Sequence, residues 1–183
     1  RLVSEPDKRH AAVAVILQEN GPELRLLFIE RTEREGDPWS GHIAFPGGRV
    51  EACDRETRNT AERETREEIG LDLRPAEYLG RLDDLTGNTL PVRVSGFVYS
   101  IENTGPFQLS SEVKDTFWAP VTDLIDSKRH IEYCFHHRGT KSLFPAIDLL
   151  GAGRPVLWGL TYRFVAQLLD LLDLKIPQTA RPS

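Results

Sequence analysis

Residues 47–71, GGRVEACDRETRNTAERETREEIGL, constrain this chain more than any other stretch. Asp54 has the short oxygen-bearing side chain that accepts an amide at a helix start, and Gly70 can take the left-handed conformation that ends one. A helix is therefore predicted from Asp54 to Glu68, and the segments on either side of it read differently. AAVAVILQ (11–18) and ELRLLFIER (23–31) are β-branched and apolar about the turn sequence ENGP, which predicts a hairpin. TEREGDPWSGH (32–42) reads as a long loop, IAF as a short strand running into PGG. EYLGRLDDL and PVRVSGFVYSI read as strands around TGNTLP, DTFWAPV as another, and VTDLID as a helical turn or two. HIEYCFHH and SLFPAI suggest a second hairpin joined at RGT. The last element, about 157–173, repeats Leu157, Leu160, Phe164, Leu168 and Leu171 at three- and four-residue steps, the pattern of an amphipathic helix. Strands with one early and one late helix imply an α+β chain: a mixed sheet with a helix on each face, in one domain over 1–183.

The early helix carries the chemistry. At roughly 100° per residue, Glu64, Glu67 and Glu68 project within an arc of about 100°. Like charges at these spacings repel. Arg58 and Arg66 point elsewhere and Arg63 sits at the edge, so the face reads as uncompensated. A hard divalent cation such as Mg²⁺ takes oxygen ligands of this kind. The paired glycines before it let the backbone approach and offer a carbonyl. A solvated charged face is the competing reading of such a run.

Composition narrows the partners. The net charge is −5, which gives no global attraction for nucleic acid or an anionic membrane, so a polyanion would need locally placed arginines or metal. Cys53 and Cys134 lack zinc-site spacing and form no disulfide framework. No apolar run reaches the length of a membrane span. RLVSEPDKRH lacks the plan of a signal peptide, so a cytoplasmic setting is expected.

Gly48 followed by Arg63-Glu64-Thr65-Arg66-Glu67-Glu68-Ile69-Gly70-Leu71 resembles the Nudix box, G-x5-E-x7-R-E-U-x-E-E-x-G-U, with U a bulky aliphatic. Thr65 replaces an aliphatic, the lone Glu falls on Asp54 with Glu56 as the other stand-in, and one extra residue precedes Arg63. The resemblance implies a Nudix-like α/β/α sandwich and hydrolysis of a nucleoside diphosphate linked to another group, with Mg²⁺ or Mn²⁺ and an attacking water. Carried over, Glu64, Glu67, Glu68 and the Gly48 carbonyl become metal ligands, with a glutamate among them as possible base. Arg63 becomes structural, holding Asp54 or Glu56, and Gly70 closes the box. Many members place a further acid outside the box, and Glu112 is the candidate here.

LFIERTEREGDPWSGHIAFPGGRVEACD, with the later LWGLTYR, is similar to the coenzyme A diphosphatase branch, whose signature is L-L-T-x-R-S-x3-R-x3-G-x3-F-P-G-G. Leu27, Arg31, Gly41 and Phe45-Pro46-Gly47-Gly48 fit it. Ile29 and Thr32 replace Thr and Ser, and the second arginine position falls on Gly36 or Asp37 with Arg34 nearby. The implied substrate is coenzyme A or a derivative, cleaved to 3′,5′-ADP and 4′-phosphopantetheine or its acyl form. Arg31 and Arg34 are available for phosphate, Trp39 for adenine, and Phe45 belongs to the same substrate-binding stretch. His42 could assist, and Trp158 reads as core. Other expectations are the same chemistry on ADP-ribose, a dinucleoside polyphosphate or a noncanonical nucleoside triphosphate, or a binding module without catalysis. The family also implies a possible homodimer.

Overall fold

The computed structural model describes residues 9–35, 40–87, 92–137 and 139–177. The expected first hairpin is β1 (Arg9–Asn20) and β2 (Glu23–Arg31), antiparallel with Leu17 opposite Leu26. Gly21 takes φ 64° in its turn, a conformation that costs a side-chain-bearing residue. β3 (Ile43–Ala44) joins β2, and β4 (Gly47–Arg49) lies antiparallel to β1 with Gly48 opposite Ala12. After α1 (Thr57–Ile69) come β5 (Glu77–Arg81), β6 (Leu85–Thr86), β7 (Val92–Ser100) and β8 (Val113–Pro120). β7 runs parallel to β1 while β8 runs antiparallel to β2, so the sheet is mixed as expected. A turn of helix, α2 (Val121–Leu124), leads to the second hairpin, β9 (His130–His137) and β10 (Thr140–Ile147). With β11 (Leu157–Trp158) these form a separate three-stranded sheet, and α3 (Gly159–Leu171) follows.

β1 serves both faces of the main sheet, because successive side chains on a strand alternate. Ala12, Ala14 and Ile16 pack with Ala61 and Ile69 of α1. Val15 and Leu17 pack with Phe164, Val165, Leu168 and Leu169 of α3. Each large apolar side chain buried this way contributes about 1.5–3 kcal/mol. This is the α+β architecture expected, with one helix on each face.

Two boundaries differ from the sequence reading. α1 begins at Thr57 with Glu56, not Asp54, as its N-cap, because the Asp54 carboxylate is held by Arg63. The Glu56 amide instead donates to Asn59 Oδ1 at 3.2 Å. Leu157 and Trp158 belong to a strand paired with Ile147 and Ala146, and the last helix starts only at Gly159, with φ 66°. Thr65, unusual for an aliphatic position, is fully buried because its hydroxyl donates to Ala61 O at 2.7 Å.

Candidate active site

The glycines of β4 set the distance between sheet and helix. A Cβ on Gly47 would fall 2.2 Å from Ala12 O, and one on Gly48 2.4 Å from the Glu64 carboxyl carbon. Only glycines fit between β1 on one side and α1 on the other. The Ala14 amide donates to Pro46 O at 2.8 Å, and the Gly47 amide donates to Glu68 Oε2 at 2.9 Å. The strand therefore holds Glu68 in place and leaves room for Glu64.

Burial decides the electrostatics of two carboxylates. Glu68 is 4% exposed, and burial raises its pKa to about 7 against the opposing Gly47 N–H and Arg31 charge, with the charges of Glu64 and Glu112 adding to the rise. Glu64 is also raised, chiefly by burial, although the Arg63 hydrogen bond opposes it. Glu67 is exposed.

Arg63 corrects the picture of an uncompensated face. Its Nη1 donates to Glu64 Oε1 at 2.9 Å and to Glu67 Oε2 at 3.2 Å, while Nε and Nη2 each donate to Asp54 at 3.0 Å. An arginine at the edge of an arc reaches into it, because its fork spans several acceptors. Asp54, not Glu56, is thus the loop acid. It also accepts from Thr60 Oγ1 at 2.8 Å and the Glu51 amide at 2.9 Å. Together these hydrogen bonds, Arg63's first, hold its carboxyl at about 2. Gly48 and Asp54 keep the motif's spacing, so its extra residue lies between Asp54 and Arg63, in the stretch that leads into and starts α1.

Opposite the helix, a cleft of about 1120 Å³ gathers Arg31, Arg34, Gly48, Glu64, Glu67, Glu68 and Glu112. β2 and β8 lose register between Glu30 and Arg31, and the Thr32 amide donates to Glu112 O at 2.9 Å. The bulge brings the arginine end of β2 beside the segment entering β8. That segment is docked on the end of α1, where the Gln108 and Ser110 amides donate to Ile69 O and Glu68 O at 3.0 and 2.8 Å. Glu112 so arrives near the box and pairs with Arg34 at 3.1 Å. Phe45 lines the cleft but is 3% exposed and stacks on Phe28 with centroids 4.9 Å apart, so its ring is core more than contact surface. Trp39 lies outside the described residues. Trp158 is buried as expected, with His42 edge-on at 5.2 Å. Sequence reasoning missed Arg49 and Glu51, which also line the cleft. Their place three or fewer residues after Gly48 was the available signal.

The donor set fits a hard divalent cation. Two carboxylates whose ionised forms burial disfavours stand beside a glycine whose missing Cβ makes room for one of them. Among the described residues no three acidic, histidine or cysteine side chains already enclose an ion position. Arg63 draws Glu64 and Glu67 toward itself, while Glu68 turns to the Gly47 amide.

The NUDIX domain description matches residues 8–138. Mitochondrial coenzyme A diphosphatase NUDT8 of Mus musculus is 29% identical over 194 residues, covering 99% of this chain and 89% of that one. An uncharacterized protein of Schizosaccharomyces pombe is 40% identical over 108 residues, 55% of this chain and 33% of that one. The chain spans 33% to 58% of the length of that protein and of two Arabidopsis thaliana Nudix hydrolases. Among solved structures, the NUDIX domain of Shewanella oneidensis NrtR, complexed with ADP ribose, superposes with a TM-score of 0.59 at 15% identity, over 94% of this chain and 93% of that one. The likeness is one of fold.

Proposed function

This chain belongs to the Nudix family, and from that premise we propose that it hydrolyses the diphosphate linkage of coenzyme A or a coenzyme A derivative, with Mg²⁺ or Mn²⁺. The products are 3′,5′-ADP and 4′-phosphopantetheine or its acyl form. The observation that carries the reading is one cleft lined together by Arg31, Arg34, Glu64, Glu67, Glu68 and Glu112, with Phe45, Gly47 and Gly48 beside them. The similarity to the Mus musculus coenzyme A diphosphatase over nearly the whole chain supports the substrate.

Glu64, Glu67, Glu68 and the Gly48 carbonyl would hold the cation, which when bound neutralises the diphosphate and acidifies the attacking water. Arg31 and Arg34 orient the phosphates through their forked donors. Arg34 gives up Glu112 to do so, and both side chains are about half exposed, at 49% and 51%, so the exchange costs little. The proton of the attacking water passes to a carboxylate oxygen of Glu64, Glu67 or Glu112. Glu68 is pinned by the Gly47 amide and serves as a fixed ligand. Arg63, clamped by Asp54, holds Glu64 and Glu67 at one guanidinium nitrogen and offsets their mutual repulsion.

The test is incubation with coenzyme A and Mg²⁺, with Mn²⁺ in parallel, chromatographic detection of 3′,5′-ADP, an ADP-ribose reaction alongside and an EDTA control. Metal-dependent 3′,5′-ADP, formed faster than ADP-ribose is cleaved, supports the substrate. Turnover of ADP-ribose alone moves the activity to that substrate and leaves the glutamate site standing.

A further inference from the structure

The cleft is larger than a diphosphate needs, and it turns a corner. Its box carboxylates, Glu64, Glu67 and Glu68, belong to α1, on one face of the main sheet. On the other face, beyond β4, its wall is Ala11, Val13, Val92, Val94, Leu160 and Phe164, all packed on or within the core beside α3. β4 lines the cleft as well, with Gly47 opposite Val13 and Gly48 opposite Ala12. Among the described residues, the side-chain hydroxyl at this trough belongs to Thr161, and it donates to Ile43 O at 3.3 Å. A heteroaromatic base placed there would have Arg49, opposite Ala11, and Thr161 as its polar side-chain neighbours and would bury its remaining edge nitrogens and carbonyls unpaired, which costs free energy. The pantetheine arm also carries two amides and a hydroxyl, but its gem-dimethyl and methylene carbons match the apolar wall.

A second cavity of about 780 Å³ opens from the same site and shares Arg34, His42 and Trp158 with the first. Its chemistry is the opposite. Lys114 Nζ and Arg154 Nη2 approach the two oxygens of Glu30 at 2.7 and 2.6 Å, and Glu30 is 1% exposed. Burial would raise the Glu30 pKa, but the hydrogen bonds of Lys114 and Arg154 prevail and lower it, so it stays charged. Lysine has three donors and arginine five, so both retain N–H groups for another partner. Asp115 stands 4.0 Å from the same guanidinium, and the exposed Glu33 and Glu35 also line the cavity. Tyr133 and Trp158 add aromatic surface.

We propose that the two cavities fix the direction in which the substrate lies: the branched aliphatic arm of 4′-phosphopantetheine runs past β4 into the trough, and the phosphorylated adenosine enters the second cavity, with Lys114 and Arg154 toward its 3′-phosphate. This orientation rests on the coenzyme A reading above. It makes Val92, Leu160, Lys114 and Arg154 the specificity-determining residues, none of them in the catalytic box.

The experiment is calorimetric binding of each product half, 4′-phosphopantetheine and 3′,5′-ADP, in Mg²⁺ buffer. Val92→Trp and Leu160→Trp, at half-buried positions, fill the trough. Lys114→Gln and Arg154→Gln each leave Glu30 one cation, and Arg154→Lys preserves the charge. Melting curves verify folding. The trough variants are expected to weaken 4′-phosphopantetheine by about tenfold or more, the loss of roughly two buried methylenes, and to leave 3′,5′-ADP within about twofold. The glutamine variants are expected to do the reverse, with Arg154→Lys closer to wild type. A swapped pattern, or equal losses of both halves, overturns the orientation. Release of 3′,5′-ADP from coenzyme A by the wild type separates the two failures. Release with an uncrossed pattern sinks the orientation alone, and no release together with no binding of either half sinks the coenzyme A reading with it.

Discussion

Asp54→Asn tests the clamp on which the glutamate face depends. The carboxylate accepts four hydrogen bonds, two from Arg63, one from Thr60 and one from the Glu51 amide, and its side chain is 3% exposed. An asparagine keeps one acceptor oxygen and turns an NH₂ toward a donor wherever it is placed. Arg63 retains Glu64 and Glu67 but loses its forked partner. Lowering the Asp54 pKa from 3.8 to about 2 corresponds to about 2 kcal/mol of stability, at about 1.4 kcal/mol for each pKa unit. For a domain of this size that is a melting temperature lower by about 4–8 °C. The acid is stabilised in its ionised form, so its contribution is complete above the unfolded pKa, near 4, and disappears as pH falls through about 2. Thermal melts of wild type and variant at neutral pH and at pH values approaching 3 should therefore show a gap that narrows on acidification. A gap under about 0.5 kcal/mol at neutral pH, the size of an ordinary surface substitution, or one of constant size down to acid pH, would refute the reasoning.

Glu67→Gln and Glu68→Gln should each lower turnover by about a hundredfold or more, measured as metal-dependent product release. Glu68→Gln should melt no lower than wild type in EDTA near pH 8, because a carboxylate whose pKa is raised to about 7 is a liability once ionised and the amide oxygen still accepts from Gly47. Gly48→Ala should push Glu64 aside, its Cβ falling 2.4 Å from the carboxyl carbon, and turnover should fall by more than about tenfold, with no comparable fall in melting temperature. Gly96→Ala places a Cβ 2.8 Å from the Phe164 ring at the α3 face, and denaturant unfolding should show a loss of about 1–3 kcal/mol.

The hairpin of β1 and β2 and the stop of α1 at Gly70 were legible because each is a local event: alternation about a turn, and a glycine where a helix must end. Leu157 and Trp158 misled because a short buried strand is apolar too, and it continued the three- and four-residue steps of the helix behind it. β4 gave little sign of being a strand, since two of its three residues are glycines with no side chain to alternate. Its pairing with β1 is what puts the apolar trough beside the carboxylates. Glu112 was found through the family resemblance, but the amides of Gln108 and Ser110 that moor its segment to α1 leave no pattern in the sequence. Arg63 was placed by helical angle, and the reach of its side chain, which angles do not convey, brought Glu64 and Glu67 under it.

The two-sided use of β1 separates what the protein does from what it does it to. Even-numbered positions support the helix that carries the carboxylates, while Ala11 and Val13 face the trough beside α3. A substitution at Ala11 can therefore reshape the trough, whereas Val13 packs against Gly47, whose amide holds Glu68. Replacements on the α3 side and in the 148–156 segment, where Arg154 sits, can accumulate under selection for new conjugates while the glycine edge and the box stay as they are. On the proposed orientation, one strand supports the carboxylates with one face and the substrate's arm with the other.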